Sequence, residues 1–203
     1  MLQGFQADVD RYRVGTRQPA VKLILLNQGL WALLVYRLFA PMVRSPSALS
    51  RLVGKAIGVP ASKLVEMVSG IMVPLRAEVG PGLYIAHFGG VIINEASTIG
   101  RNCTIMHGVT LGNSGRWDRV DDAPRLGDRV YVGGGACVLG AIEIGDDAVV
   151  GANAVVNRSL EARAVAVGVP ASVVSHRGSF DYVAYNGMLD DPEREASLAL
   201  ADR

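Results

Sequence analysis

Aliphatic residues recur at every sixth position from Leu126 through Val132, Val138, Ile144, Val150 and Val156, and Gly133, Gly145 and Gly151 each follow one of them. A period of six is neither that of a helix nor that of a flat strand. It fits a chain that makes a short strand, turns a corner and repeats. Every sixth side chain then enters a prism-shaped core, and the small residue beside it relieves crowding. Three faces make one coil of eighteen residues. A single hexapeptide cannot bury its own apolar residue, so the coils must stack into a solenoid.

The same frame runs backward through Leu111, Ile105, Ile99, Ile93, Ile85 and Val79, with Gly80, Gly100 and Gly112 behind three of them. It is interrupted twice. Ile85 to Ile93 spans eight positions, so two residues are inserted around HFGG, and Leu111 to Leu126 spans fifteen, which extrudes NSGRWDRVDDAPR as a long loop. Loops leaving one edge of a rigid scaffold commonly carry function, because the coils fix their roots. Before the repeats, residues 1–70 have a helical texture. PAVKLILLNQGLWALLVYRLFA reads as one or two amphipathic helices, SPSALSRLVGKAIGV as another capped by Ser45 or Ser47, and ASKLVEMVSG as a short further one. Residues 71–175 form the repeat domain and residues 176–203 a tail, whose DDPEREASLALADR segment has helical composition and whose FDYVAY patch either folds back on the prism or reaches a neighbouring subunit.

Composition narrows the classes. Half of the 203 residues are hydrophobic and the net charge is +1 with no basic stripe, which excludes disorder and gives nucleic acid binding no electrostatic support. The apolar run from Pro19 to Ala40 is interrupted by Lys22, Asn27, Gln28 and Arg37, so a bilayer span is not expected and membrane contact is not favoured. The polar start MLQGFQADVDRYRVG has no secretory signal pattern, and a cytoplasmic location is expected. Cys103 and Cys137 have no metal spacing and read as buried small hydrophobes in a reducing compartment.

The histidines supply candidate chemistry. His87 and His107 each stand two places after a core residue, Ile85 and Ile105. They are twenty residues apart, and removing the two inserted ones leaves one coil, so both belong on one corner in adjacent layers. His176 lies beyond the repeats and reads as surface. A zinc site of the three-histidine kind needs closely spaced ligands, which His87, His107 and His176 do not provide, and no metal is expected.

The repeats, the stretch IAHFGGVIINEASTIGRNCTIMHGVTLGNSG and the terminal VGVPASVV resemble the hexapeptide-repeat acetyltransferases over roughly residues 70 to 175. Within them the chain is similar to serine O-acetyltransferases and to exopolysaccharide acetyltransferases of the colanic-acid type. The resemblance implies a mainly β fold, a left-handed parallel β-helix behind an α-helical amino-terminal segment. It also implies acetyl-CoA as co-substrate and a homotrimer with sites in clefts between prisms. The amino-terminal helices offer a surface for joining two trimers.

Transfer from a thioester requires a base that deprotonates the attacking hydroxyl and returns the proton to the departing thiolate, a task suited to imidazole with its ordinary pKa of about 6.5. His87 matches the family's catalytic histidine. His107 either binds the acceptor from the next layer or orients the loop. By the same matching, Ser114, Gly134 and Ala152 fall at cofactor positions, and Arg158 falls where relatives carry a basic residue for nucleotide phosphates. Serine acetyltransferases carry an Arg-His pair in the long loop and acids near the histidine. This chain has Asp122 and Ala123 at the pair, Met72 at the histidine's carboxylate partner and Ala86 directly before His87. An added carboxylate in place of a guanidinium repels the carboxylate of serine unless Arg116, Arg119 or Arg125 compensates. The expected acceptor is therefore a hydroxyl of a small polyol, sugar or saccharide, with Asp121 or Asp122 hydrogen-bonding it or orienting a histidine. Serine O-acetyl transfer is the alternative, and a non-catalytic trimeric scaffold is the alternative of another class.

Overall fold

In the computed structural model, residues 2–16, 18–119 and 122–201 are described. The repeats form a left-handed parallel β-helix with three faces. One face stacks Ile71–Met72, Val91–Ile93, Thr110–Gly112, Cys137–Leu139 and Val155–Val156, the second stacks Glu78–Val79, Thr98–Ile99, Arg125–Leu126 and Glu143–Ile144. On the third face Tyr84–Ile85, Thr104–Ile105, Tyr131–Val132 and Val149–Val150 run parallel, and a closing antiparallel pair, Val165–Gly168 with Ala171–Ser175, ends the stack. The registers align the core in columns, Ile85 on Ile105 on Val132 on Val150 and Ile93 on Leu111 on Val138 on Val156.

All twelve of the six-spaced core positions from Val79 to Val156 are buried. They fill only half of the interior. Ala77, Leu83, Val91, Cys103, Val109, Val130, Ala136, Ala148 and Ala154, each two places ahead of such a residue, are fully buried as well. Each hexapeptide thus points two side chains inward, one large and one usually small, which corrects the reading of one core residue per unit. Two of the three corners are closed by a left-handed residue three places before the core position. These are Gly82, Gly90, Asn102, Gly108, Arg129, Gly135, Asp147, Asn153 and Arg163, mostly types that tolerate positive φ. The buried Arg129–Asp147 pair, with contacts of 2.8 and 3.1 Å, ties two of those corner residues together.

Four helices cover the opening end of the prism: α1 (Leu2–Arg13), α2 (Ala20–Leu26), α3 (Gln28–Val43) and α4 (Ala48–Ser69). Ser47 rather than Ser45 caps α4, its hydroxyl accepting from the Ser50 N–H, and the helix runs through Pro60 to the left-handed Gly70. The two short helices expected over residues 45–70 are therefore one, because Pro60 is accommodated inside α4. No single helix among the described residues is long and apolar enough to cross a membrane, and α2 and α3 meet at 101°. Leu23, Leu30, Leu33, Tyr36 and Ala40 are buried, whereas Leu25, Leu26, Leu52, Leu64 and Met67 are exposed on α2 and α4.

Exposed strand ends are satisfied by helix side chains. The Tyr36 hydroxyl donates to the Ala77 carbonyl and accepts from the Val79 N–H, and Arg37 donates to the Val79 and Gly80 carbonyls while pairing with buried Asp8. The tail folds back on its own prism, which settles the position of the FDYVAY patch. Ser179 and Val183 are fully buried, and Tyr182 stacks on Tyr131 at 5.0 Å. Helix α5 (Pro192–Ala201) then begins on Asp191, whose carboxylate accepts from the N–H groups of Glu193 and Arg194.

Candidate active site

The corner that follows the third face carries the candidate chemistry. Counting two places past each core residue of that face, Ile85, Ile105, Val132 and Val150, reaches His87, His107, Gly134 and Ala152 in turn. The four residues form one ladder, which joins the histidine pair to the two small residues at matched cofactor positions. Its backbone is a hydrogen-bonded column, with Gly108 donating to Gly89, Gly135 to His107 and Asn153 to Gly134. His87 and His107 are both exposed, and their rings lie 5.6 Å apart at 77°. At the two-residue insertion His87 has φ 66°, off the regular corner pattern, and it borders the cleft described next. A Cβ added at Gly134 would lie 3.0 Å from His107 Cε1, so a glycine there leaves the imidazole its room.

Beside His87 opens a cleft of about 410 Å³. Tyr84, Ala86, Thr104, Met106 and Tyr131 come from the prism, Arg11, Tyr12 and Val14 from α1 and its following turn, and Asp181, Tyr182 and Ala184 from the tail. The wall groups from outside the repeats were not expected. Helical spacing groups Asp8, Arg11 and Tyr12, three and four apart, on one face of a short helix, but it does not say what that face packs against. Met72, at the position of the family's acidic partner, lines a separate cavity of about 280 Å³ under α4.

Ser114, Asp122 and Arg158 belong to a different corner, the one after the first face. Asp122 accepts from the Ser114 N–H at 3.0 Å, and this hydrogen bonding holds its carboxyl below the ordinary range. The pair lines a cavity of about 460 Å³ with Arg116, Arg119, Gly140 and Asn157, and exposed Arg158 directly follows Asn157. Within one chain Asp122 thus staples the loop to itself and does not line the cleft beside His87. Ala123 is buried, and Arg125 is exposed on its strand. Asp121 lies outside the described residues. His176 is exposed beyond the last strand. Cys103 is fully buried, as expected, while Cys137 is only half-buried. Among the described residues no cluster of three potential metal ligands occurs.

Residues 123–158 match the family model described as bacterial transferase hexapeptide (six repeats). The chain is 41% identical to a serine acetyltransferase of Helicobacter pylori over 167 residues, covering 80% of this chain and 93% of the relative. It is 36% identical to a serine acetyltransferase of Mycobacterium tuberculosis over 189 residues, covering 90% and 79%. Among solved structures, the apoenzyme of soybean serine acetyltransferase superposes with a TM-score of 0.74 at 31% identity over 84% of this chain and 67% of that one. Serine acetyltransferase of Neisseria gonorrhoeae in complex with serine gives 0.73 at 28% identity over 86% and 69%.

Proposed function

The chain belongs to the serine acetyltransferases among the hexapeptide-repeat transferases, an acetyl-CoA-dependent acyltransferase, and from that premise we propose that it O-acetylates serine with His87 as the general base. The relatives support the amino acid, the alternative acceptor, better than the saccharide expected from the altered loop. The carrying observation is the single corner ladder, in which an exposed imidazole and a floor of small residues share one edge. His87 takes the proton from the acceptor hydroxyl as its oxygen bonds to the thioester carbonyl carbon. The carbon–sulfur bond then breaks, and the proton passes from the imidazolium to the thiolate of CoA. Gly134 and Ala152 admit the pantetheine arm along the ladder, and His107, one layer on, contacts the acceptor or the thioester.

A homotrimer completes this site. Ser114, Arg158 and the long loop stand on a different prism edge from His87, so one chain does not bring the two groups of family positions together. Threefold packing of prisms sets one chain's edge against the next chain's loop, where Arg116, Arg119 and Arg158 offer guanidinium groups to the phosphates of the nucleotide. The exposed apolar side chains of α2 and α4 support a further joining of trimers through the helices. Two free thiols suit a cytoplasmic setting.

A second reading, acetylation of a polyol or saccharide hydroxyl, is favoured by one feature. Ala86 and Asp122 stand where serine acetyltransferases carry an acid and a guanidinium. Thiol release from acetyl-CoA, measured with serine, neutral sugars and uronic acids, decides between them. Turnover with serine above that with any sugar supports the first reading. Turnover confined to sugars replaces it, and no thiol release with any hydroxyl acceptor returns the scaffold alternative.

A further inference from the structure

The cleft beside His87 contains a buried cation that is ion-paired to no carboxylate among the described residues. Arg11 is 6% exposed. Its Nε donates to the Gly82 carbonyl at 3.0 Å and its Nη2 to Thr104 Oγ1 at 2.7 Å, both neutral acceptors. Its guanidinium carbon lies 5.8 Å from the Tyr84 ring centroid. Among the described residues Nη1 is bonded to no protein acceptor and no carboxylate pairs with Arg11. By contrast, part-buried Arg37 on α3 and buried Arg129 in the prism are each bonded twice to a carboxylate, Asp8 and Asp147. Burial draws the Arg11 guanidinium down to about 10, because the charged form has lost much of its hydration.

A buried guanidinium in a cleft, paired to no carboxylate, is a receptor for an anion, and its fork of donors matches a carboxylate. The family's own grip on the acceptor is missing from the loop, where Asp122 and Ala123 stand. We propose that Arg11, from the amino-terminal helix rather than from the repeats, is the carboxylate anchor of the acceptor site. The proposal rests on acetyl transfer occurring at His87, since it treats the adjoining cleft as the acceptor's. Asp181, exposed in the same cleft, supplies a group of opposite sign, which an amino acid's ammonium requires. A carboxylate is also carried by uronic acids, and the volume of about 410 Å³ admits both sources, so both are tested.

The experiment compares wild type with Arg11→Gln, which keeps amide donors, and Arg11→Lys, which keeps the charge. KM is measured for L-serine and for L-serinamide, which lacks the carboxylate, together with KM for acetyl-CoA. Calorimetric binding of L-serine, D-glucuronate and D-glucose is measured without acetyl-CoA, and thermal melting monitors the fold. Arg11→Gln is expected to weaken the carboxylate-bearing acceptor roughly tenfold to a hundredfold, as loss of a hydrogen bond to a charged group does. Serinamide and acetyl-CoA should shift less than about twofold, and Arg11→Lys should recover part of the loss. Whichever of serine and glucuronate binds the wild type and not the variant identifies the source. Equal losses for serine and serinamide would mean that Arg11 only holds α1 to the prism, and the proposal falls. If the wild type transfers acetyl to nothing, the proposed function fails while the binding arm still decides on Arg11. A carboxylate bound by the wild type and lost in Arg11→Gln sustains the anchor, and failure of every carboxylate to bind overturns it.

Discussion

A single hydroxyl, that of Tyr12, completes both backbone hydrogen bonds of Ile85, donating to its carbonyl at 2.7 Å and accepting from its N–H at 3.1 Å. Ile85 lies in the outermost strand of the third face, two residues before His87. The outward side of that strand has no further coil to pair with, and α1 supplies the partner a coil would have given. Tyr36 does the same at Ala77 and Val79. Burial raises the Tyr12 phenol far above its ordinary value, so it stays a neutral donor throughout the working range.

Tyr12→Phe leaves a buried N–H and carbonyl unpaired beside the site. A loss of about 2 kcal/mol in unfolding free energy is expected, in the range for orphaned buried polar groups. Denaturant titration checks it, and an unchanged midpoint would show that water replaces the hydroxyl. Turnover should fall with it, because the strand that fixes His87 loses its outer partner.

His87→Ala should cut thiol release by at least roughly a hundredfold, the usual contribution of a positioned base. The melting temperature should barely move, since the ring is exposed. His87→Asn, a type at home at the φ of 66° observed here, should be as inactive. Near-normal turnover of either variant removes His87 from the mechanism.

Gly134→Ala adds a Cβ 3.0 Å from Cε1 and 3.2 Å from Nε2 of His107. The backbone at Gly134 has an ordinary φ, and the exposed ring is free to swing aside. Stability should therefore hold while activity drops, by up to ~100-fold if the displaced ring sits near the reacting atoms. Steady-state kinetics beside a thermal melt separates the two effects.

The two thiols should differ. Desolvation pushes the Cys103 thiol up from 9.0 to about 12, whereas Cys137 is half-buried. A thiol reagent at mild alkaline pH should label Cys137 in the folded protein and Cys103 only after unfolding. Between pH 9 and about 12 the unfolded chain gives up the Cys103 proton before the folded one does. The stability from the neutral thiol is thus whole below pH 9 and lost as pH rises through the folded value. Cys103→Ala should flatten that decline in alkaline melts, and labelling of both thiols in the native state would contradict the burial argument.

Periodicity by itself determined the solenoid, its three columns and the pairing of His87 with His107, because a coil of fixed length turns sequence separation into spatial adjacency. The insertions at HFGG and after Leu111 were legible for the same reason, as departures from a count. Spacing did not reveal that Gly134 and Ala152 continue the histidine ladder, although core residues aligned across the coils place all four. The second inward set was hidden because its residue type varies from coil to coil, from Ala77 and Ala136 to Cys103, Val91 and Leu83, so no single type marks it. Only the tertiary structure decided what closes the site. Arg11, Tyr12, Asp181 and Tyr182 come from segments with no repeat, and their meeting at His87 depends on how a helix and a tail pack against the prism. Local residue patterns carry no record of such long-range packing, whereas a repeat writes its own contacts into the chain.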